Sequence, residues 1–203
     1  MEKRVFATTY LVKVGLLAAL SYMLMYLDDI FLPLTRLIFP EFLKLDFADV
    51  PALIGGFALG PLAGTLVALI RNIIYFLTKS STAGVGSAAN FVTAVSLVIP
   101  ASLIYQRLHT RKGALIGMLA GTLSMTAVMA VTNYYIFLPL FARVMEIPLN
   151  VVVQAGAKVN PWIVDLRTFV LFATAPFNLL KGILVSLVTL AVYKHISRLF
   201  KHF

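Results

Sequence analysis

Apolar runs of bilayer-spanning length recur along the whole sequence, separated by short charged or glycine- and proline-containing stretches. Thr9–Leu27, Pro61–Thr78, Ala88–Gln106, Gly113–Leu140 and Phe169–Tyr193 each approach or exceed the roughly 20 residues a helix needs to cross hydrocarbon. One further apolar run, Asp49–Leu59, is too short: at 1.5 Å per residue it would extend only about 16 Å. Gly60-Pro61 cuts it from the next run, because glycine permits a tight reversal and proline cannot sit inside a helix. That helix is therefore tilted, re-entrant or set against a depressed protein surface. The expected fold is an all-α membrane protein of six helices with a short second one, forming a single domain over residues 1–203.

Charge sets the orientation. Charged residues are only 12% of the chain, about half the share in a soluble domain. Lys3, Arg4, Arg107, Arg111, Lys112, Lys194, Arg198 and Lys201 gather on one side with Glu2. Asp28, Asp29, Glu41, Asp46, Asp49, Glu146 and Asp165 gather on the other, mixed with Arg36, Lys44, Lys79, Arg143, Lys158 and Arg167. The basic side is cytoplasmic by the positive-inside rule, so both termini are expected to lie inside a multi-pass membrane protein. The net charge of +9 thus reflects topology rather than nucleic-acid binding. The first run extends to about Leu27 with no small-x-small cleavage site after it, which favours a retained helix over a signal peptide.

Several chemistries are excluded or disfavoured. Without cysteine there is no disulfide, Cys-ligated zinc or thiol nucleophile. His109, His195 and His202 lie in basic flanks, so no metal site is expected. The apolar runs lack histidine and paired acids, which leaves an intramembrane enzyme without an acid–base pair. Ser80–Ala89 lacks the Gly-Lys-Ser/Thr ending of a phosphate loop and reads as a flexible outer turn whose backbone could touch a ligand.

Polar residues inside the apolar runs mark a site instead. Ionisable groups in hydrocarbon need a partner, water or a ligand. Arg71, Asn72, Asn133, Asn178 and Lys181, with Asn90 nearer the outer end, fall at roughly similar depth in the outer half. Asn178 and Lys181 are three apart and share a helix face, behind a Pro176 that could kink the helix. For a single asparagine, interhelical hydrogen bonding explains as much as ligand binding does. Lys181 favours a pocket, since no acid within a helix core is available to pair with it. Arg71 has a partner in prospect in Asp46 or Asp49 of the charged segment before the short helix. Lys13 is expected to snorkel to the inner surface. Two buried cations without a buried acid disfavour a cationic ligand. Phe31, Phe39, Phe42, Phe47 and Trp162 of the outer loops could stack on a flat ring or anchor at the interface. A flat, heteroatom-rich, neutral or weakly acidic molecule fits this set.

On these residues the chain resembles the substrate-binding membrane subunits (S components) of energy-coupling factor (ECF) vitamin transporters, and within them the riboflavin-specific branch. The resemblance covers nearly the whole chain, and its most specific pieces are FLKLDFADVPALIGG with the GPLAG turn, Asn133 in TNYYIF, and Asn178 with Lys181 in APFNLLKG. It implies high-affinity riboflavin capture from outside beneath the long first outer loop, which serves as a lid. It also implies delivery inward with a transmembrane coupling protein and two ATP-hydrolysing subunits. Substrate contacts carry over to Asn133, Asn178 and Lys181 and, in the loop, to Leu45, Asp46 and Phe47, with Arg71, Asn72 and Asn90 as supporting residues. Riboflavin is then cargo rather than cofactor, with FMN or another flat vitamin as alternatives. A stand-alone facilitator is the other class, but it would need a polar lining through the inner half. The family's Ala-xxx-Ala coupling motif on the first helix has its nearest match in Gly15-xxx-Ala19, beside Ala18.

Overall fold

The computed structural model describes residues 2–27, 37–40 and 43–201, with side chains over 8–27, 37–40 and 43–192. Asp28, Asp29, Phe31, Arg36, Glu41, Phe42 and His202 lie outside the described residues, as do the side chains of Glu2, Lys3, Arg4, Lys194, His195, Arg198 and Lys201. All regular elements among the described residues are helical. They are α1 (Glu2–Tyr26), α2 (Asp49–Leu59), α3 (Pro61–Lys79), α4 (Val85–Leu108) and α5 (Arg111–Thr132). A π-helical turn (Asn133–Phe137) joins α5 to α6 (Leu138–Val144), which is followed by α7 (Leu149–Ala157). The short α8 (Leu166–Phe169) runs through a second π turn (Val170–Thr174) into α9 (Ala175–Lys201).

Five helical stretches are long and apolar enough to cross a membrane: Thr8–Tyr26, Pro61–Lys79, Val85–Leu108, Arg111–Val144 and Leu166–Val192. Leu11, Leu16, Leu62, Leu77, Leu119 and Leu187 are largely exposed on them, as expected where the solvent is lipid. Phe141 to Thr168, which the apolar runs leave between helices, is largely helical. Helix α6 continues to Val144, α7 fills the middle, and α8 begins at Leu166. Asp165 starts α8 with a capping box: its carboxylate accepts the Thr168 N–H at 2.7 Å, and the Thr168 hydroxyl accepts the Asp165 N–H at 2.9 Å. Those Thr168 hydrogen bonds, backbone first and hydroxyl second, lower the Asp165 pKa below its usual 3.8. The cap therefore contributes fully above the ordinary carboxylate range and is lost as pH falls through the lowered value. Asp165→Ala is expected to speed amide exchange at Thr168 at neutral pH, leaving Thr189, deep in α9, unchanged.

Helix α2 is enclosed by protein. Asp49 to Phe57 are all buried, and α1, α3, α4 and α9 pack around them. This resolves how an 11-residue helix sits in a bilayer: the neighbouring helices, not lipid, cover Asp49 to Phe57. Gly60 turns the chain with φ of 107°, open to glycine at little cost, and Pro61 starts α3 where its missing N–H goes unused. The returning α3 approaches so closely that a Cβ on Gly64 would lie 2.5 Å from the Ala52 carbonyl oxygen. A second close crossing joins α4 and α5. A Cβ on Gly117 would lie 2.5 Å from the Ala101 oxygen, and one on Gly121 would press likewise on the Leu97 oxygen. This small-xxx-small face lets two backbones meet where lipid offers no hydrophobic drive for association.

Candidate functional site

Two helices widen into π turns, each just before a proline. Pro139 and Pro176 have no N–H and would clash with the carbonyls four residues earlier, those of Tyr135 and Phe172. The chain responds with wider turns: Leu138 N–H donates to the Asn133 oxygen and Ala175 N–H to the Val170 oxygen, each five residues back. Asn133 opens the first π turn, and Asn178 follows the second by one helical turn. Such π turns favour functional positions because they re-aim the side chains around them. Here a π turn replaces the simple kink expected at Pro176.

Both asparagines line a cavity of about 610 Å³. Leu43, Lys44 and Asp46 form its wall from the segment before α2, with Met25 at the end of α1 and Tyr75 on α3. The turn before α4 and its first helical turns add Ser81, Thr82, Val85, Gly86, Ala89, Asn90 and Thr93. Met129, Asn133, Phe137, Leu138, Phe141 and Met145 come from the α5–α6 stretch, Phe177 and Asn178 from α9. The Ser80–Ala89 stretch is a hydrogen-bonded turn that enters α4 at Val85: Ser80 Oγ accepts the Gly84 N–H at 3.1 Å and Thr82 Oγ1 the Gly86 N–H at 3.0 Å. The volume lies within the range of small-molecule sites, and three amides on an otherwise mostly apolar wall give it direction. Asn178 Nδ2 donates to the Thr174 oxygen at 2.7 Å, which fixes the amide plane.

Of the loop residues expected at the site, Asp46 is on the wall, while Leu45 and Phe47 are not among the lining residues. Phe47 packs against the main core. Phe39 is buried and meets Phe177 edge-on at 5.3 Å, so it holds the segment to α9 beside the cavity. Trp162 is 72% exposed, as an interfacial anchor would be. Of the supporting residues, Asn90 lines the cavity but Arg71 and Asn72 do not. Asn72 bonds back to its own helix, at the Ala68 oxygen (2.8 Å).

Lys181 corrects the sequence reading. It does have acid partners: Nζ lies 3.0 Å from Asp46 Oδ2 and 3.2 Å from Asp49 Oδ2. Arg71 Nη1 donates to Asp49 Oδ1 at 2.9 Å and to Ser21 Oγ at 3.3 Å. Ser21 in turn donates to the Ala48 oxygen, and the Ala48 N–H reaches Asp46 Oδ1 at 2.9 Å. All four charged groups are buried, two of each sign. The buried region behind the cavity is thus charge-balanced rather than cationic, and its two cations do not weigh against a cationic ligand. Sequence spacing missed this because both acids lie at the loop–helix junction, outside any long apolar run. It also missed Tyr75, Met129, Phe137 and Thr93, though each was legible as a helical neighbour: four residues after Arg71, four either side of Asn133, three after Asn90.

On α1, Gly15 and Ala19 face outward, and a Cβ on Gly15 would meet nothing within 4 Å. Ala18 is 1% exposed and belongs to the core.

Residues 9–193 match the family of substrate-specific components of ECF transporters. The chain belongs to that family. This S component is 34% identical over 180 residues to the riboflavin transporter FmnP of Bacillus subtilis, covering 88% of this chain and 86% of that protein. It is 30% identical over 191 residues to the riboflavin transporter RibU of Staphylococcus aureus, covering 94% and 92%. A solved structure of the S component of a bacterial ECF transporter superposes with a TM-score of 0.71 at 28% identity, over 96% of this chain and 99% of that one. The all-helical fold is therefore that of an S component, and the protein is a membrane transporter subunit rather than an enzyme.

Proposed function

We propose that this S component captures riboflavin from outside a prokaryotic cell and delivers it through a coupling module of one membrane protein and two ATPases. Both relatives above carry riboflavin in their names, and the cavity chemistry agrees. Isoalloxazine is flat and neutral, with an apolar dimethyl edge and a pyrimidine edge of two carbonyls and an N–H. Asparagine amides offer the matching donor and acceptor side by side. The observation that carries the reading is the convergence of Asn90, Asn133 and Asn178 on one cavity among Met129, Phe137, Phe141 and Phe177. In this reading Asn133 and Asn178 read the pyrimidine edge, Asp46 accepts from an N–H or a ribityl hydroxyl, and the first outer segment closes the site. Lys181 serves by holding Asp46. Gly15 and Ala19, exposed on α1, form the face on which the coupling protein docks.

Protein purified in detergent from cells supplied with riboflavin should carry visible flavin absorption and, once emptied, quench riboflavin fluorescence. Colourless protein that leaves added riboflavin fluorescence unchanged sinks the assignment. Asn133→Ala and Asn178→Ala each remove a buried hydrogen-bonding group. They should weaken affinity by roughly tenfold to a hundredfold, the equivalent of about 1–3 kcal/mol. Fluorescence titration of folded variants measures this, and unchanged affinity in both would return the amides to helix packing.

A further inference from the structure

Asp49 is fully buried and is not part of the cavity wall, yet it touches both cations. Its Oδ1 accepts from Arg71 in a well-formed hydrogen bond. Its Oδ2 faces Lys181 at ion-pair distance with no hydrogen bond formed. Lys181's hydrogen bond goes to Asp46, the acid that is on the wall. Arg71 keeps a further demand, since its Nε is buried with no partner. The two hydrogen-bonded ion pairs are thus sorted: the carboxylate away from the cavity bonds the guanidinium, and the carboxylate on the wall bonds the ammonium.

We propose that Asp49 is a positioning residue that neutralises Arg71, so that Asp46 stays on the cavity wall, paired with Lys181 behind it. Without Asp49, a buried guanidinium with a desolvated charge and an unused N–H has a carboxylate to gain one step along the network. Arg71 would draw Asp46 toward itself and off the wall, and the segment carrying Leu43 and Lys44 would follow. The competitor does the damage, not the missing carboxylate. This inference rests on the proposed function, with riboflavin as the ligand of the cavity.

The test uses the full chain in detergent, with riboflavin dissociation followed by recovery of its fluorescence and referred to folded protein. Asp49→Asn should dissociate at least roughly tenfold faster than the parent. Adding Arg71→Met to Asp49→Asn removes the competitor, and dissociation should return to within about threefold of the parent even though more of the network is gone. A role in packing alone predicts the opposite order, with the double variant no better than the single. The thermal midpoint of the empty proteins separates the two further. Rescue confined to that midpoint, with equal dissociation rates in all three proteins, overturns the proposal. So does a double variant that releases riboflavin as fast as Asp49→Asn. Should Asp49→Asn give no folded protein, the double variant decides alone: near-parental dissociation supports the proposal and faster release overturns it. A parent that does not bind riboflavin removes the proposed function first, and this inference with it.

Discussion

Lys181→Met is expected to cost both folded protein and riboflavin binding. The substitution leaves Asp46 and Asp49, 4% and 0% exposed, facing Arg71 as the remaining cation of the cluster. Removing one partner of a buried ion pair typically costs about 3–5 kcal/mol, because the other charge stays desolvated without compensation. That is a large share of a usual folding stability of roughly 5–15 kcal/mol. A lysine that served only as a ligand donor would lower affinity and leave the yield intact. The ion pairs at 3.0 and 3.2 Å predict instead that the yield of monodisperse protein falls sharply. Asp46→Asn combined with Lys181→Met restores one charge of each sign. It should recover much of the yield, measured by size exclusion, but not the affinity, because the wall then lacks its carboxylate. Full yield for Lys181→Met alone would mean that the cluster does not hold the bundle together.

Much of the fold was legible in the sequence because the bilayer enforces simple rules. Apolar run length gives the spanning helices, and Gly60-Pro61 marks the turn between α2 and α3. Asn133, Asn178 and Asn90 stood out because an amide in an apolar run is unusual, and all three line the cavity. Charge pairing was harder to read. Lys181 and Asp46 are 135 residues apart, and only tertiary packing brings them to 3.0 Å. Helix periodicity carries no information across that separation. The π turns were hidden for a different reason. Pro176 signalled a disturbance, but whether a helix answers proline by kinking or by widening depends on what packs beside it. The same signal at Pro139 marks the other wide turn, and the two π turns touch one another beside the cavity.

The second large effect is expected at the crossing of α4 and α5. Gly121 faces the Leu97 backbone, so any side chain there meets a carbonyl oxygen that cannot rotate away. Overpacking of this kind costs about 1–3 kcal/mol where side chains can adjust, and more where backbone must move. Gly121→Leu should therefore push the two helices apart rather than settle between them. The consequence reaches the site, because α4 carries Asn90 and Thr93 while α5 leads into Asn133. A spread crossing changes the separation of amides that must meet one flat ligand together. Riboflavin affinity per folded molecule should fall by at least roughly tenfold, alongside a lowered thermal midpoint. Leu119→Ala, on the same helix but 62% exposed to lipid, should alter neither, which separates the crossing from a general effect of changing α5. If folded Gly121→Leu protein quenches riboflavin as tightly as the parent, the amides take their spacing from the π turns, and the glycine contact serves assembly alone.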